Sequence, residues 1–518
     1  LPSDYGTTTP STANGHNVGV LPRLSHLMHP SPRSRRRSAA PPDIVDPYAA
    51  VDPALVAASL ADAVPEVYWT DPAHRPMRPE PRPVLHGSTH RADLVVIGGG
   101  FTGLWAALQA LEDDPSATVV VLEAGHLGTG ASGRNGGFVS ASLTHGLAQG
   151  AAMWPEELDT LERLGTDNIA GLEASLTAYR IDADFHRPGE LTLSLTPNQD
   201  AAIAEGYDLH RSRGHAAEVL NAQEVRARVD SPLYRGGWFD PSVALVDPAR
   251  LGWGLAAAIE SLGGTIHEGS PATSLEVDGA GVRVTTTSAA IAARRVLVGT
   301  NAYPGVLKRL RAFILPVYDH VLMTEPLTPA QLAAIGWQGR EGLTDAGNQF
   351  HYYRRTLDDR ILFGGFDANY HFGGRIDPAL EQSASHDLLA THFFAIFPQL
   401  AGLRFTHRWA GVIDTTSRFT PFFGRTHGGR VAYAVGYTGL GVGSSRFGAR
   451  VALDLLSGHD TELTGLGMVR RKPVPFPPEP IRYAAVRATR ASLAAQDRTG
   501  QRDLWLRTLD RLGIGFDS

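Results

Sequence analysis

Four consecutive apolar residues, Leu94 to Ile97 in "ADLVVIGGG" (92–100), mark a strand buried on both faces. The next stretch, "FTGLWAALQALEDD" (101–114), repeats apolar positions at helical spacing, and "ATVVVLEAG" (117–125) returns to a buried strand. Strand, helix and strand in this order predict a β–α–β unit, the usual opening of a doubly wound sheet. Downstream the pattern is mostly strand. "GELTLSLT" (189–196), "GGWFDPSVALVDP" (236–248), "VRVTTTS" (282–288) and "RRVLVGTNAY" (294–303) predict strands and turns. "DPARLGWGLAAAIESLGG" (247–264) predicts a helix with Asp247 as N-cap, Pro248 in its first turn and glycine at its end. "PVYDHVLMTEPL" (316–327), "FHYYRRT" (350–356) and "RILFGGF" (360–366) predict a large antiparallel sheet, and 430–458 reads as strand, glycine turn, helix.

The ends differ from this body. Residues 1–83 hold 15 of the chain's 35 prolines, so 1–90 is expected to be a largely irregular arm. Within it "DPALVAASLADAV" (52–64) predicts one short helix and "VYWTD" (67–71) an aromatic anchor, with regular order starting at 92. The tail 459–518 predicts an extended strap, "PVPFPPEP" (473–480), followed by helices. The basic stretch "RSRRRSAAPP" (34–43) lacks the apolar run that a signal peptide needs.

Composition narrows the function. Hydrophobic residues make up 43% and charged residues 19% of 518, which allows a large core. A net charge of −6 argues against nucleic acid as a partner. No apolar run reaches the length of a membrane span. With no cysteine there is no disulfide, thiolate metal site or cysteine-linked cofactor. That absence leaves the compartment open; a cytoplasmic protein is expected. No metal-binding group is expected: His86 and His90 have helical spacing, but "HGSTH" reads as loop. A hydrolase is unsupported, since no G-x-S-x-G turn occurs.

Gly98, Gly100 and Gly103 form G-x-G-x-x-G between strand and helix. The first allows a tight turn, the second a close approach of pyrophosphate, and the third close helix–strand packing. The helix start, with Thr102, then faces an anion. Glu123, followed by Ala124, ends the second strand, where a carboxylate accepts hydrogen bonds from a ribose diol. A second glycine turn, "GYTGLGVGSS" (436–445), opens another helix. A positive helix start suits a reduced flavin and has no use in a plain NAD enzyme, so FAD is the expected cofactor.

Six motifs, "VVIGGGFTGLWAA", "LEAGHLGTGASGRNGG", "VGTNAY", "YYRRTLDDRILFGG", "WAGVID" and "GYTGLGVG", stand in the order seen in the D-amino-acid oxidase/glycine oxidase superfamily. The chain resembles that superfamily over about residues 65–458, most closely its gamma-glutamylputrescine oxidase-like branch. The resemblance implies an α/β fold, α+β overall. It consists of a Rossmann-like FAD-binding domain (91–180, 250–305 and 405–458) with an inserted substrate domain on a large antiparallel sheet (181–249 and 306–404). It places Ser132, Arg134, Asn135, Gly136 and Gly137 at the pyrophosphate and flavin ring, and Ala272 at adenine. Thr300 and Asn301 fall at a strand end beside the cofactor, and Gly439, Leu440, Gly441 and Val442 at the flavin's pyrimidine edge. Branches with histidine-linked flavin carry histidine where this chain has Arg134, which implies non-covalent FAD. Sarcosine oxidase-like members put a lysine beside the flavin near Phe363; the only lysines here are Lys308 and Lys472.

The implied reaction is oxidation of a CH–NH donor, an amine or amino acid, by hydride transfer to flavin N5. Imine hydrolysis follows, with oxygen as acceptor and hydrogen peroxide as product. Positioning supplies much of such catalysis. In glycine oxidase-like relatives an arginine on the strand "HYYRRT" clamps the substrate carboxylate, a bidentate pairing. Strand alternation puts Tyr353 and Arg355 on one face, Tyr352 and Arg354 on the other, and leaves open which faces the flavin. His320 is a candidate base, Tyr437 a candidate pocket cap, Trp409 and Asp414 shape the cofactor mouth, and Trp69 either reaches the pocket or packs. Two alternatives stay open: a dehydrogenase of an amine or 2-hydroxy acid passing electrons to a quinone or protein, and a flavin-carrying subunit of a larger complex. Oligomeric state is left open.

Overall fold

The computed structural model describes residues 47–514 apart from 49, 76, 77 and 304, and apart from the side chains of 88 and 89; the stretch 34–43 lies outside the described residues. Two sheets organise the body. The first has eight strands. Its parallel centre runs Val431–Val435, Ala289–Val298, Gly87–Ile97, Val119–Leu122, Thr265–His267, with Phe422–Thr426 antiparallel at one edge. Strands Ala272–Asp278 and Gly281–Thr286 extend from Ala289–Val298 as an antiparallel meander. Leu94 to Ile97 are at most 6% exposed, because helices cover one face and strand Gly281–Thr286 with Leu307, Leu310 and Ile314 covers the other.

Helix Phe101–Asp113 packs between helices Pro248–Ser261 and Gly441–Ser457 on this sheet. The Asp247 carboxylate accepts from the amides of Ala249 and Arg250, so the expected cap forms.

The second sheet has nine strands, in the order Asn369–Tyr370, Leu315–Thr324, Ile361–Gly365, His351–Arg355, Gly342–Asp345, Glu190–Ser194, Gly236–Asp240, Glu218–Asn221. All of these neighbours are antiparallel except Gly342–Asp345 with Glu190–Ser194. Strand Phe405–Thr415 also belongs here, paired with Leu315–Thr324 along its whole length. This corrects the expected cofactor segment beginning at 405: its share of the first sheet starts at Phe422. Local periodicity identifies a strand but says nothing of which sheet supplies its hydrogen bonds.

The arm is more ordered than its prolines suggest. Helix Pro53–Leu60 forms on an Asp52 cap, and Tyr68 and Trp69 are buried. The first strand begins at Gly87, so "HGSTH" is largely strand rather than loop; its register partner Ala289–Val298 supplies the ladder that its composition hides. Among the described residues no helix is long and apolar enough to cross a membrane.

Candidate functional site

A cavity of about 1320 Å³ opens between the two sheets. That exceeds the ~300–1,000 Å³ of pockets that hold one small ligand. Two helices start in its wall. Phe101–Asp113 begins after Gly100 and Gly441–Ser457 after Leu440, and neither N-cap residue supplies a side-chain acceptor. A helix start inside a cavity offers amide donors and a positive dipole end to an anion. Gly98, Gly100, Thr102, Glu123, Ala124, Ala272, Thr300, Asn301 and Gly439 to Val442 all line this space. Gly103 does not: a Cβ there would sit 1.9 Å from the Gly98 carbonyl oxygen, so it is the contact that lets helix meet strand. Glu123 accepts from the amides of Gly99 (2.7 Å) and Gly125 (2.9 Å), and burial raises its pKa.

The loop 130–139 crosses the cavity floor and is held from every side. Ser132 Oγ accepts the Phe101 amide at 2.9 Å, and Asn135 closes the turn through Ala131, Ser132 and Gly137. Gly137 has φ +77°, and a Cβ there would lie 2.0 Å from the Val246 carbonyl oxygen. Only glycine fits that backbone. Trp69 Nε1 donates to the Asn135 carbonyl (2.9 Å) and Trp409 Nε1 to the Arg134 carbonyl (2.9 Å). Trp69 is therefore a brace behind the loop, outside the cavity lining. Arg134 lines the cavity and is engaged through Nε and Nη1: it donates to the Thr129 and Ala410 carbonyls and pairs with Glu381 at 2.7 Å. Glycine backbone, two helix starts at the cavity wall and this braced loop fit a dinucleotide cofactor.

The substrate-side expectations divide. Tyr352 lines the cavity; Tyr353 and Arg355 do not. Tyr353 is wholly buried on the far side of the sheet, hydrogen-bonded to Tyr234 at 2.8 Å, and Arg355 donates to the Trp337 and Gln338 carbonyls. Arg354, on the same face as Tyr352, is buried beneath the loop; Nη1 donates to the carbonyls of Val246 (2.6 Å) and Gly136 (3.3 Å). Burial lowers its pKa to about 10. Neither arginine is placed to clamp a substrate carboxylate. His320 is also corrected. It alternates with Val317 and Asp319, which face the cavity, and so points away against His386; burial drops its pKa to about 3. Phe363 likewise lies in the core, outside the lining. Tyr437 lines the cavity and accepts from Thr102 Oγ1 at 3.0 Å. Asp414 accepts the amides of Gly436 and Tyr437, bracing the second turn, with its pKa pushed up to about 7 by burial.

Two acids were missed. Asp319 accepts the Tyr352 hydroxyl at 2.6 Å, and burial raises its pKa to about 6. Glu190, hydrogen-bonded to Thr344, is raised to about 7, again by burial. Both line the cavity. The only trace in the sequence is a single acid inside each predicted strand, "PVYDHVL" and "GELTLSL". Elsewhere the structure brings together Asp71, His74 and His407, whose potential ligand atoms lie within 4.8 Å of one another, a group that sequence reasoning did not anticipate. Asp71 Oδ2 lies 3.0 Å from His407 Nε2 and 3.1 Å from His74 Nδ1, which ties the aromatic anchor to strand Phe405–Thr415.

A glycine-fingerprint β–α–β unit and a second glycine turn, facing one cavity beneath a large antiparallel sheet, define a dinucleotide-dependent oxidoreductase. Comparison narrows this further. The model of the DAO family, FAD dependent oxidoreductase, matches residues 93–455, and the chain belongs to that family. It is 32% identical to gamma-glutamylputrescine oxidoreductase of Escherichia coli (strain K12) over 389 residues, covering 74% of this chain and 88% of that protein. It is 30% identical to probable oxidoreductase OrdL of Haemophilus influenzae over 384 residues, 72% of this chain and 84% of that one. Among solved structures, glycine oxidase from Geobacillus kaustophilus superposes with a TM-score of 0.62 at 21% identity, over 74% of this chain and all of that chain, a likeness of fold. The protein is an FAD-dependent oxidoreductase.

Proposed function

We propose that this enzyme oxidises amines that carry no carboxylate beside the reacting nitrogen, with FAD held non-covalently and oxygen as electron acceptor. One observation carries the reading: the cavity presents Asp319 and Glu190, while both arginines of "HYYRRT" are engaged elsewhere. Carboxylates attract an ammonium and repel an amino acid's carboxylate. The relative named gamma-glutamylputrescine oxidoreductase supports an amine substrate. When bound, FAD supplies the two-electron acceptor for the carbon bearing nitrogen.

The chain's own residues do the rest. Tyr352 and the backbone amides of His320 and Gly365 hold the Asp319 carboxylate at the cavity wall, where it holds the substrate ammonium and takes its proton, since only the neutral amine is oxidised. Glu190 adds negative potential. The walls exclude water, which strengthens both effects. Overall, amine, oxygen and water give aldehyde, ammonia and hydrogen peroxide.

The test is anaerobic bleaching of the flavin by a panel of primary amines and of amino acids, followed by peroxide detection in air. Bleaching by amino acids but not amines refutes the substrate reading. Bleaching by amines without peroxide moves the assignment to a dehydrogenase. Acid precipitation is expected to release yellow flavin into the supernatant, because by resemblance Arg134 stands where histidine-linked branches carry histidine; a coloured pellet refutes non-covalent binding.

A further inference from the structure

The last helices lie beyond the residues that the family match covers, which end at 455, yet they form part of the cavity wall. Helix Ile481–Thr499 and helix Leu504–Arg511 fold as a hairpin, joined side to side by Trp505 Nε1 donating to Thr489 Oγ1 at 2.9 Å. The longer helix has 19 residues and not one of them is fully buried. Its apolar side, with Val486 and Leu493, and the facing Leu509 and Ile514, line the cavity instead of a protein core.

Polar contacts hold the hairpin in place at its margins. Asp497 accepts the amides of Asn348 and Gln349, both at 2.9 Å. Arg490 pairs with Asp367 and donates to Asn369 at 2.7 Å. Glu479, just before the hairpin, accepts from the Tyr370 hydroxyl and the Gly373 amide. These anchors tie it to the loops at 348–350 and 367–373, which themselves carry cavity residues. The hairpin is thus fastened around a void. Of the hairpin's three arginines in the lining, Arg490 pairs with Asp367, Arg502 pairs with Asp510, and Arg482 donates Nε to the Pro477 carbonyl at 2.9 Å.

We propose that the hairpin builds a distal chamber of the substrate site, which takes the apolar arm of an elongated primary amine whose nitrogen lies at Asp319. The proposal rests on the amine reading above. Continuity with the cofactor cavity makes substrate the occupant, and the lining by Val486, Leu493, Leu509 and Ile514 makes its arm apolar.

The experiment uses the full FAD-loaded enzyme and unbranched amines from butylamine to octylamine. kcat/KM is expected to rise about fourfold per added methylene, the value of one buried CH2. Leu493→Asp places a charge in the chamber and is expected to flatten that slope. A chain ending at Lys472 is expected to do the same. If that truncated chain loses its flavin, the point variant decides. A flat slope in the unaltered enzyme, an equal slope in Leu493→Asp, or a preference for amines with a distal carboxylate overturns the chamber. So does conversion of a dimer to a monomer by Leu493→Asp in light scattering, which would make a second copy the occupant. The two readings fail differently: bleaching by butylamine with a flat slope refutes only the chamber, whereas no bleaching by any amine refutes the amine reading and the chamber with it.

Discussion

Replacing Asp319 by asparagine should stabilise the protein while disabling it. The carboxyl lies in the cavity wall, where desolvation raises its pKa from the ordinary 3.8 to about 6 despite the Tyr352 hydrogen bond. At 1.36 kcal/mol per tenfold change in proton affinity, that rise is worth about 3 kcal/mol. The sign follows from proton linkage. The folded state holds this proton more tightly than the unfolded chain. Wild-type stability therefore falls as pH rises from about 4 to about 6, and the loss is complete above that window. The Asp319→Asn side chain carries no such penalty, since its amide oxygen still accepts from Tyr352 without a buried charge. The variant should match wild type near pH 4 and exceed it by up to about 3 kcal/mol at pH 8. For a body of this size that is about 3 °C in Tm, from an unfolding entropy of roughly 2 cal/mol/K per residue. Calorimetry of the apoproteins at both pH values reads it. Activity should move the other way: kcat/KM falls by about 10²-fold or more, as expected for loss of a proton acceptor, with flavin content unchanged. A stability difference equal at pH 4 and pH 8, or full activity in the variant, would refute the placement of a buried, functional carboxylate here.

Three further outcomes follow from named contacts. Tyr352→Phe removes a hydrogen bond to the charged form of Asp319. The lower limb of the kcat/KM–pH profile should move up by about 1–2 pH units, the equivalent of the ~1.5–3 kcal/mol of a charge-assisted bond; an unmoved limb separates Asp319 from catalysis. Gly137→Ala forces a Cβ to within 2.0 Å of the Val246 carbonyl at φ +77°, so the protein should purify without yellow colour, and normal flavin absorbance would contradict the loop's role. Trp69→Phe keeps the packing but drops the bond to the Asn135 carbonyl. FAD should bind about two- to tenfold more weakly in a fluorescence titration, from the ~0.5–1.5 kcal/mol of one hydrogen bond, with kcat at saturating FAD little changed.

How far sequence alone reaches depends on how local each feature is. The buried run Leu94–Ile97, the glycine turn and the helix after it were legible because strand period, helix period and glycine geometry are all written in neighbouring residues. The same holds for the Asp247 cap and for the loop 130–139, whose glycines announced a backbone in close contact. Orientation is another matter. "HYYRRT" was recognisable as a candidate strand, but choosing Tyr352 over Tyr353 required the register against Ile361–Gly365 and the side on which the second sheet covers the cofactor cavity. His320 failed as a candidate for the same reason: one residue along a strand reverses the face.

Asp319 and Glu190 were invisible because each is a lone acid until sheet pairing brings strands from distant parts of the chain to one cavity. The aromatic anchor at 67–71 was legible, but not the bond from Trp69 to the Asn135 carbonyl, and the apolar face of the C-terminal helices gave no sign that it lines a cavity. Local covalent geometry and hydrophobic period decided the cofactor cradle. Long-range pairing, which no short window of sequence encodes, decided which side chains line the cavity.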